Sequence, residues 1–378
     1  MTPVERTGPV GVGLIGAGMI SDTYLHNLTA FPDVRVLIVG DLDGPRAHAQ
    51  ATKHAIPAWG SADDVLAHAG VEVVVNLTIP AVHAEVSSRA LAAGKHIWTE
   101  KPISMDRASG RALLAQAEAA ALLIGVAPDT VLGPGVQTAR RAIARGEIGT
   151  PLSAQTTMQY IGPDTFHPNP EFLFARGAGP LFDMGPYYVT TLVHVFGPVA
   201  TVAAFGSRAR ATRVVQVGER RGSEFSVDVP THVSAIALFE SGGVSQSVFS
   251  FDSPLARTGV VEITGTEGTM VIPDPNTFTG QVKVTRGGPG SRPGTDQEWH
   301  TLPTVGVLAG RGVGVLDLAR CVRSGGRPLA TGALGYHVLD TLVAIDEAVA
   351  SRRAHAVEST IDSIPLVAED FDPFRATV

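Results

Sequence analysis

Residues 10–21 read VGVGLIGAGMIS, and the fold turns on how that stretch is parsed. Val10 to Ile15 is an apolar run of the length of one buried strand. Gly16-Ala17-Gly18 is a turn, and from Met19 onward Ile20, Tyr24, Leu25 and Leu28 carry helical spacing. A strand, a glycine turn and a helix make a phosphate cradle: Gly16 permits the tight turn, Gly18 lets the backbone approach a pyrophosphate, and the helix presents free N–H groups and the positive end of its dipole. The literal string G-x-G-x-x-G falls at Gly11, Gly13 and Gly16, but that frame buries two glycines inside the strand. The physically sensible frame is Gly16, Gly18 and Ser21, with serine as the small residue where helix packs on strand. A strand–turn–helix without any ligand is the competing reading.

The next segment favours the cradle. Val34 to Val39 reads as a second buried strand that ends in Gly40-Asp41, and Asp41 lies 25 residues after Gly16. A carboxylate there accepts both hydroxyls of an adenosine ribose and repels a 2′-phosphate, so the expected cofactor is NAD, with NADP disfavoured. The rival carboxylate, Asp43, reads as the N-cap of a helix opening at Gly44-Pro45. Gly16, Gly18, Met19, Ile20 and Asp41 are therefore the first candidate cofactor-binding residues.

Outward from this core, residues 9 to 127 alternate strand and helix patterns. Helices are expected at Gly44 to His54, Ala62 to Ala69, from Pro80 to Gly94, and at about Arg107 to Ala120. The intervening strands are Val71 to Asn76, His96 to Thr99 and Leu122 to Ala127. Such alternation implies a parallel sheet covered on both faces. The remainder changes character. One helix, Val136 to Arg145, leads into strands at Leu152–Ile161, Val199–Phe205, His232–Phe239, Val244–Phe251 and Val260–Ile263. Many of these alternate as antiparallel strands with one wet face do. Thr266 to Gly268 reads as a hairpin turn into Met270 to Ile272, and Gly287 to Gln297 as a flexible surface loop. Helices at about Val315 to Arg323 and Tyr336 to Ala350 come last.

Composition excludes several classes. The 378 residues suffice for two cores, and 44% hydrophobic with 17% charged residues describes a globular protein. A net charge of −7 without a basic run argues against nucleic acid and anionic membrane surfaces as partners. Cys321 is the one cysteine, so no intramolecular disulfide or cysteine-based zinc site exists; its LARCV context reads as a packed helix residue. MTPVERTGP lacks a signal-peptide apolar region and no apolar run reaches ~18 residues, so the expected location is cytoplasmic. His48 and His54 do not share a helix face, so no metal is expected.

Glu100-Lys101-Pro102 comes directly after a strand of the parallel-sheet half, and ligands of such sheets bind outside the carboxyl ends of the strands. Lys101 should face the nicotinamide end, where a nearby cation and partial desolvation would loosen its proton for transfer near neutral pH. An ordinary surface lysine is the bland alternative.

Taken together, GLIGAGMIS, Asp41, TIPAVHAE (78–85), AGKHIWTEKP (93–102) and GPLFDMGPYY (179–188) resemble the glucose–fructose oxidoreductase / inositol dehydrogenase / rhizopine-catabolism (Gfo/Idh/MocA) family. ARGEIGTP (144–151) and ITGTEGTMVIP (263–273) extend the resemblance over most of the chain. It implies a Rossmann domain, here 1–127, followed by an α+β domain, 128–378. The second domain would hold a large, mostly antiparallel open sheet that often forms dimers or tetramers. It also implies hydride transfer between a nicotinamide and a carbinol or carbonyl of a sugar, cyclitol or related polyol. Carried over by position, Thr78, Pro80, His83 and Glu100 would line the cofactor, and Lys101 would be catalytic or hold the substrate. Many members have histidine four residues after the aspartate matching Asp183. Tyr187 stands there in this chain, as in the branch with glucose–fructose oxidoreductase and the dimeric dihydrodiol dehydrogenases.

The chemistry survives that exchange, because residues four apart on a helix share a face and a lysine cation helps a phenol accept a proton. The reading is that Tyr187 moves the hydroxyl proton, Lys101 tunes it and holds the substrate oxygen, and Asp183 orients another hydroxyl. Tyr188 is the rival phenol, and a core tyrosine is the alternative for Tyr187. The connection Pro163 to Gly179 is long enough to be functional, with His167 and Asn169 offering hydrogen bonds to substrate hydroxyls or simply packing. His194, in the apolar LVHVF stretch, reads as a satisfied core histidine. Two other functions remain open: a glycoside-cleaving enzyme that uses tightly held NAD transiently, and a non-catalytic NAD or sugar sensor.

Overall fold

The computed structural model describes residues 7–287 and 298–378, and the chain divides into two units. In the first unit six apolar runs pair into a parallel sheet of order β3-β2-β1-β4-β5-β6. They are β1 (Val10–Ile15), β2 (Val34–Gly40), β3 (Ala58–Gly60), β4 (Val73–Asn76), β5 (His96–Thr99) and β6 (Ile124–Val126). Helices α1 (Met19–Leu28), α2 (Gly44–Lys53), α3 (Ala62–Ala67), α4 (His83–Ala92) and α5 (Arg107–Ala119) alternate with them. Every residue of β1 and β4 is buried, as strands covered on both faces must be. The strand order reverses between β1 and β4, so a crevice opens at the carboxyl ends there. Local chemistry sets the helix starts. Asp43 caps α2 by accepting the Arg46 N–H, with Pro45 in the first turn, and Ser61 with Asp64 forms a capping box on α3. The helix expected from Pro80 is instead a 3₁₀ turn, Pro80–Val82, broken from α4 by the non-helical backbone of Val82 (φ −117°, ψ 5°).

The second unit opens with α6 (Pro134–Ala144), β7 (Pro151–Gln159), α7 (Gly179–Phe196), β8 (Val199–Ser207), β9 (Thr212–Val214) and β10 (Glu224–Ser226). It continues through β11 (His232–Phe239), β12 (Val244–Ser250), β13 (Arg257–Gly265), β14 (Gly268–Ile272), β15 (Lys283–Arg286) and β16 (His300–Thr301). Later in the chain come α8 (Val313–Ser324) of the first unit, α9 (Gly332–Ser351), which starts in the first unit and ends in the second, and β17 (His355–Ala356) of the second. Nine strands form one sheet, ordered β16-β15-β14-β13-β7-β12-β11-β8-β17, and β9 with β10 makes a small ribbon. β7 and β12 run parallel, whereas β11 pairs antiparallel with both β8 and β12, and β13 with β7 and β14. Alternation is plain in β11, where Val233, Ala235, Ala237 and Phe239 are buried and Ser234, Ile236 and Leu238 are exposed. The inner face packs on α7, which reaches well beyond the Asp183–Tyr187 turn that sequence spacing picks out and carries Pro186 inside it.

The boundary of the first unit differs from the 127/128 division expected from sequence. That unit runs through Gly133 and takes back Gly306–Leu339 and Val367–Val378. Helix α8 lies against β1, β5 and β6. The buried Asp129 carboxylate accepts N–H bonds from Gly312 (2.7 Å) and Gly314 (3.1 Å). Arg320 pairs with buried Asp33 at 2.8 Å, and Asp33 also accepts the Thr377 hydroxyl. Arg323 grips Glu72 at 2.9 and 2.7 Å. These partners lie 183 to 344 residues apart, far outside any window in which periodicity acts. Residues 288–297 of the expected surface loop lie outside the described residues. Among the described residues no helix is long and apolar enough to cross a membrane.

Candidate cofactor and active-site residues

Gly16 sits at φ +104°, and a Cβ there would come 2.6 Å from the Leu77 carbonyl oxygen, so both conformation and space demand glycine. Gly11 answers to the sheet instead, since its Cβ would lie 1.9 Å from the Gly70 carbonyl oxygen. A Cβ at Gly18 would meet nothing within 4 Å. The packing of the chain itself does not require glycine at 18, but a pyrophosphate lying against the backbone does. Gly18 is the N-cap of α1, no side chain caps that end, and Met19 is 75% exposed with Ile20 half-buried beside it. Such an end has N–H groups to offer an anion. Ser21, fully buried, donates to the Gly18 carbonyl at 2.6 Å and closes the turn.

Asp41 joins this cradle directly. One carboxylate oxygen accepts the Ala17 N–H at 2.6 Å and the other the Asp43 N–H at 2.8 Å. The Arg46 guanidinium lies 4.0 Å from Asp41 and 3.0 Å from Asp43. The glycine turn, the uncapped helix end and a carboxylate at the end of β2 fit an NAD adenosine and pyrophosphate.

At the end of β4, Asn76 organises the loop that leads to α4. Its amide donates to the His83 carbonyl (3.0 Å) and the Ser87 hydroxyl (3.1 Å), and its oxygen accepts the Thr78 hydroxyl (2.6 Å). Thr78 and Pro80 are half-buried in that loop. His83 is 1% exposed, with both ring nitrogens against carbonyl oxygens, Pro102 at 2.7 Å and Thr78 at 2.9 Å. Its ring thus bridges two backbone segments, the Thr78 loop and the Pro102 turn. After β5, one Glu100 oxygen accepts the Tyr24 hydroxyl at 2.8 Å and the other the Lys101 N–H at 3.2 Å, while Trp98 donates to Tyr24 at 3.1 Å. Burial first, then the charges of Glu100 and Asp129, pushes the Tyr24 phenol far above its usual range. Burial likewise raises Asp129 to about 6, against the Arg311 charge and the two glycine N–H bonds. Lys101 is half-buried at this turn. Asn76, Tyr24 and Asp129 escape sequence reading because a polar residue inside an apolar run carries no signal of its partner.

In the second unit Asp183 is half-buried and Tyr187 is 6% exposed, one turn apart on α7. Tyr188 is fully buried; its hydroxyl accepts the Gly259 N–H at 2.8 Å and its ring meets Phe249 edge-on. The rival phenol is thus occupied in the core. A further phenol, Tyr160, lies just past β7, stacked on Phe166 at 6.1 Å and edge-on to Phe251 at 5.2 Å. Burial first, then the charges of Asp183 and Asp164, raises it. In the Pro163–Gly179 connection the His167 ring accepts the Asn169 N–H at 3.0 Å and packs on Phe172 at 5.3 Å, with Asn169 itself exposed. Buried Arg213 anchors this connection. It binds Asp164 at 2.7 Å, Asp252 at 2.6 Å and the Ile161 carbonyl at 2.8 Å, with Phe174 below it at 5.0 Å. His194 corrects an expectation: it is buried, but neither ring nitrogen has a hydrogen-bond partner among the described residues. Arg140 bonds its backbone carbonyl at 3.2 Å, and burial, then that cation, favours the neutral ring.

Two family models match the chain. Residues 10–127 match the oxidoreductase family with an NAD-binding Rossmann fold, and residues 136–271 match the GFO/IDH/MocA C-terminal domain. The chain is 28% identical over 266 residues to trans-1,2-dihydrobenzene-1,2-diol dehydrogenase of Bos taurus, covering 70% of this chain and 74% of that one. It is 24% identical over 354 residues to 1,5-anhydro-D-fructose reductase of Ensifer adhaerens, covering 92% and 98%. Among solved structures, levoglucosan dehydrogenase in complex with NADH and L-sorbose superposes with a TM-score of 0.80 at 23% identity, over 93% of this chain and 99% of that one.

Proposed function

We propose, for a chain that belongs to the Gfo/Idh/MocA family of NAD-binding oxidoreductases, the reaction of a polyol dehydrogenase: reversible oxidation of a carbinol on a sugar, cyclitol or related polyol. One observation carries the reading. Gly16–Gly18, Asp41, Thr78 and Lys101 stand at the carboxyl ends of β1, β2, β4 and β5 of one parallel sheet, where such sheets hold a dinucleotide. The substrate class draws on relatives named for a dihydrodiol, an anhydrofructose and levoglucosan.

The nicotinamide, when bound, accepts or returns the hydride. The side chains handle the proton and the orientation. Tyr187 takes the proton from the reacting hydroxyl, Lys101 holds that oxygen and favours the phenolate by its charge, and Asp183 accepts a hydrogen bond from a neighbouring hydroxyl. This assigns the chain to the branch with Asp-x-x-x-Tyr. His167 and Asn169 extend hydrogen bonding to the remaining hydroxyls, and Tyr188 keeps a core role. The chain would work as a homodimer or homotetramer through the outer sheet face, where Phe205, Ile236, Leu238, Val244 and Val260 are exposed. Light scattering of the purified protein, with Ile236→Lys as the breaking variant, tests that.

NADH formation over a panel of aldoses, inositols and sugar acids, beside an NADP series, tests the reaction. Lys101→Ala and Tyr187→Phe should each lower kcat by about 100-fold or more, the scale of a lost proton-transfer group. Full activity in Tyr187→Phe would overturn its role. Turnover of a glycoside without net NADH would favour the transient-redox reading, and NAD binding with no turnover at all would favour the sensor.

A further inference from the structure

Among the described residues the hydrogen-bond partners of the His83 ring are two acceptors. Its Nδ1 lies 2.7 Å from the Pro102 carbonyl oxygen and its Nε2 2.9 Å from the Thr78 carbonyl oxygen, in a pocket that leaves the residue 1% exposed. A neutral imidazole has one N–H and one lone pair, so it satisfies one such carbonyl and directs its lone pair at the other. Two hydrogen bonds at these lengths need both nitrogens protonated.

We propose that His83 is a positioning residue that clasps the Thr78 loop to the Glu100-Lys101-Pro102 turn as an imidazolium donating to both carbonyls. The charged groups facing the ring are Glu100 and Lys101. Burial pulls the ring toward the neutral form. Burial outweighs the two carbonyl bonds and Glu100 and, with Lys101, lowers the ring's pKa below its usual value, so the imidazolium is inferred from the two short N···O contacts and not from the balance of charges. Glu100 is itself held by Tyr24 and the Lys101 N–H, so a fixed carboxylate stands by to balance the cation. Loss of the proton as pH rises would release one carbonyl and loosen the segment that carries Lys101. Only this last consequence rests on the catalytic reading of Lys101; the clasp itself does not.

Long-range ¹H–¹⁵N spectra of the full chain with ¹⁵N-labelled histidine test the clasp. The His83 signals are identified by their absence in His83→Gln and, independently, by ring-proton NOEs to Thr78 and Pro102. Both nitrogens are expected at the imidazolium shift on the acid side of neutrality. A pyridine-type nitrogen at that pH would overturn the proposal. In kinetics, His83→Gln should lower kcat about tenfold with KM for NAD little changed, the scale of one lost bond from a charged donor. It should also remove the fall in activity with rising pH that the clasp predicts for the wild type. An unchanged pH profile in His83→Gln would count against the clasp. A wild-type imidazolium signal together with a fully active Lys101→Ala would retain the clasp and defeat the catalytic reading.

Discussion

The glycine turn of the first unit and the Pro163–Gly179 connection of the second both present polar groups on irregular backbone, yet they are held in opposite ways. Asp41 fastens the turn with bonds to Ala17 and Asp43, 24 and 2 residues away. Arg213 fastens the connection to Asp164, Asp252 and the Ile161 and Phe251 carbonyls, 38 to 52 residues away, with the guanidinium out of water. The turn is fastened within one strand–helix–strand stretch, whereas a clamp built from a buried ion triad exists only once three more distant segments have met. The cofactor end of this protein is thus locally encoded, and the second unit's long connection is globally encoded.

The sharpest way to break that contrast is Arg213→Met. It leaves Asp164 and Asp252 without their cation, and removal of one partner from a buried pair costs about 3–5 kcal/mol. Urea unfolding of the second unit should show this loss, and adding Asp164→Asn should recover part of it. A midpoint shift no larger than that of a surface substitution would place the clamp in the same class as the glycine turn.

A second test asks whether the first unit hides a global element of its own. Asp129 is raised to about 6 by burial, above its unfolded value of about 3.9, so the folded state binds its proton more tightly. Its stabilising contribution is full below the unfolded value and falls away as pH rises through about 6. For a shift of that size the change is about 3 kcal/mol. Asp129→Asn should flatten the stability–pH slope between about 4 and 6, leaving the slope of Asp317, also raised to about 6 by burial. An unaltered slope would show that Asp129 is ionised throughout.

Asp41→Ala probes the local side. It removes an acceptor from two backbone N–H groups and from the ribose, each bond to a charged group being worth about 1.5–3 kcal/mol. kcat/KM for NAD should fall about 10- to 100-fold. NADP should lose less, because a repelling carboxylate disappears while Arg46 stays. Equal losses for both cofactors would mean that Asp41 acts through the turn alone.

Legibility divides along the same line. Gly16, Gly18, Ser21, Asp41 and the Asp43 cap are readable because strand period, turn chemistry and helix capping are local rules, and Lys101 because it stands at a strand end. Tyr160, Asn76 and Tyr24 are not: each is an ordinary residue for its element and gains meaning only from a partner across the fold. The return of residues 306–339 and 367–378 to the first unit is invisible for the same reason. Its anchors are single polar residues, Asp33, Glu72 and Asp129, inside stretches whose pattern is apolar. His194 shows the limit from the other side, since an apolar context predicts burial correctly but says nothing about whether the ring finds a partner.

The smallest expected effect is the most discriminating for the local side. Ser21 is fully buried at the third position of the cradle, and its hydroxyl donates to the Gly18 carbonyl. If smallness is what that position needs, Ser21→Ala keeps the close packing of α1 on the sheet and loses one neutral hydrogen bond, about 0.5–1.5 kcal/mol. The Gly18 carbonyl it leaves still accepts the Ser21 N–H at 3.0 Å, which favours the low end of that range. NAD affinity by titration should stay within about twofold, since no group that meets the ligand has moved. A tenfold loss of affinity in Ser21→Ala would instead mean that the hydroxyl, by fixing the Gly18 carbonyl, sets the direction of the N–H groups behind it. The turn would then depend on a side-chain bond as closely as the second unit's connection depends on Arg213.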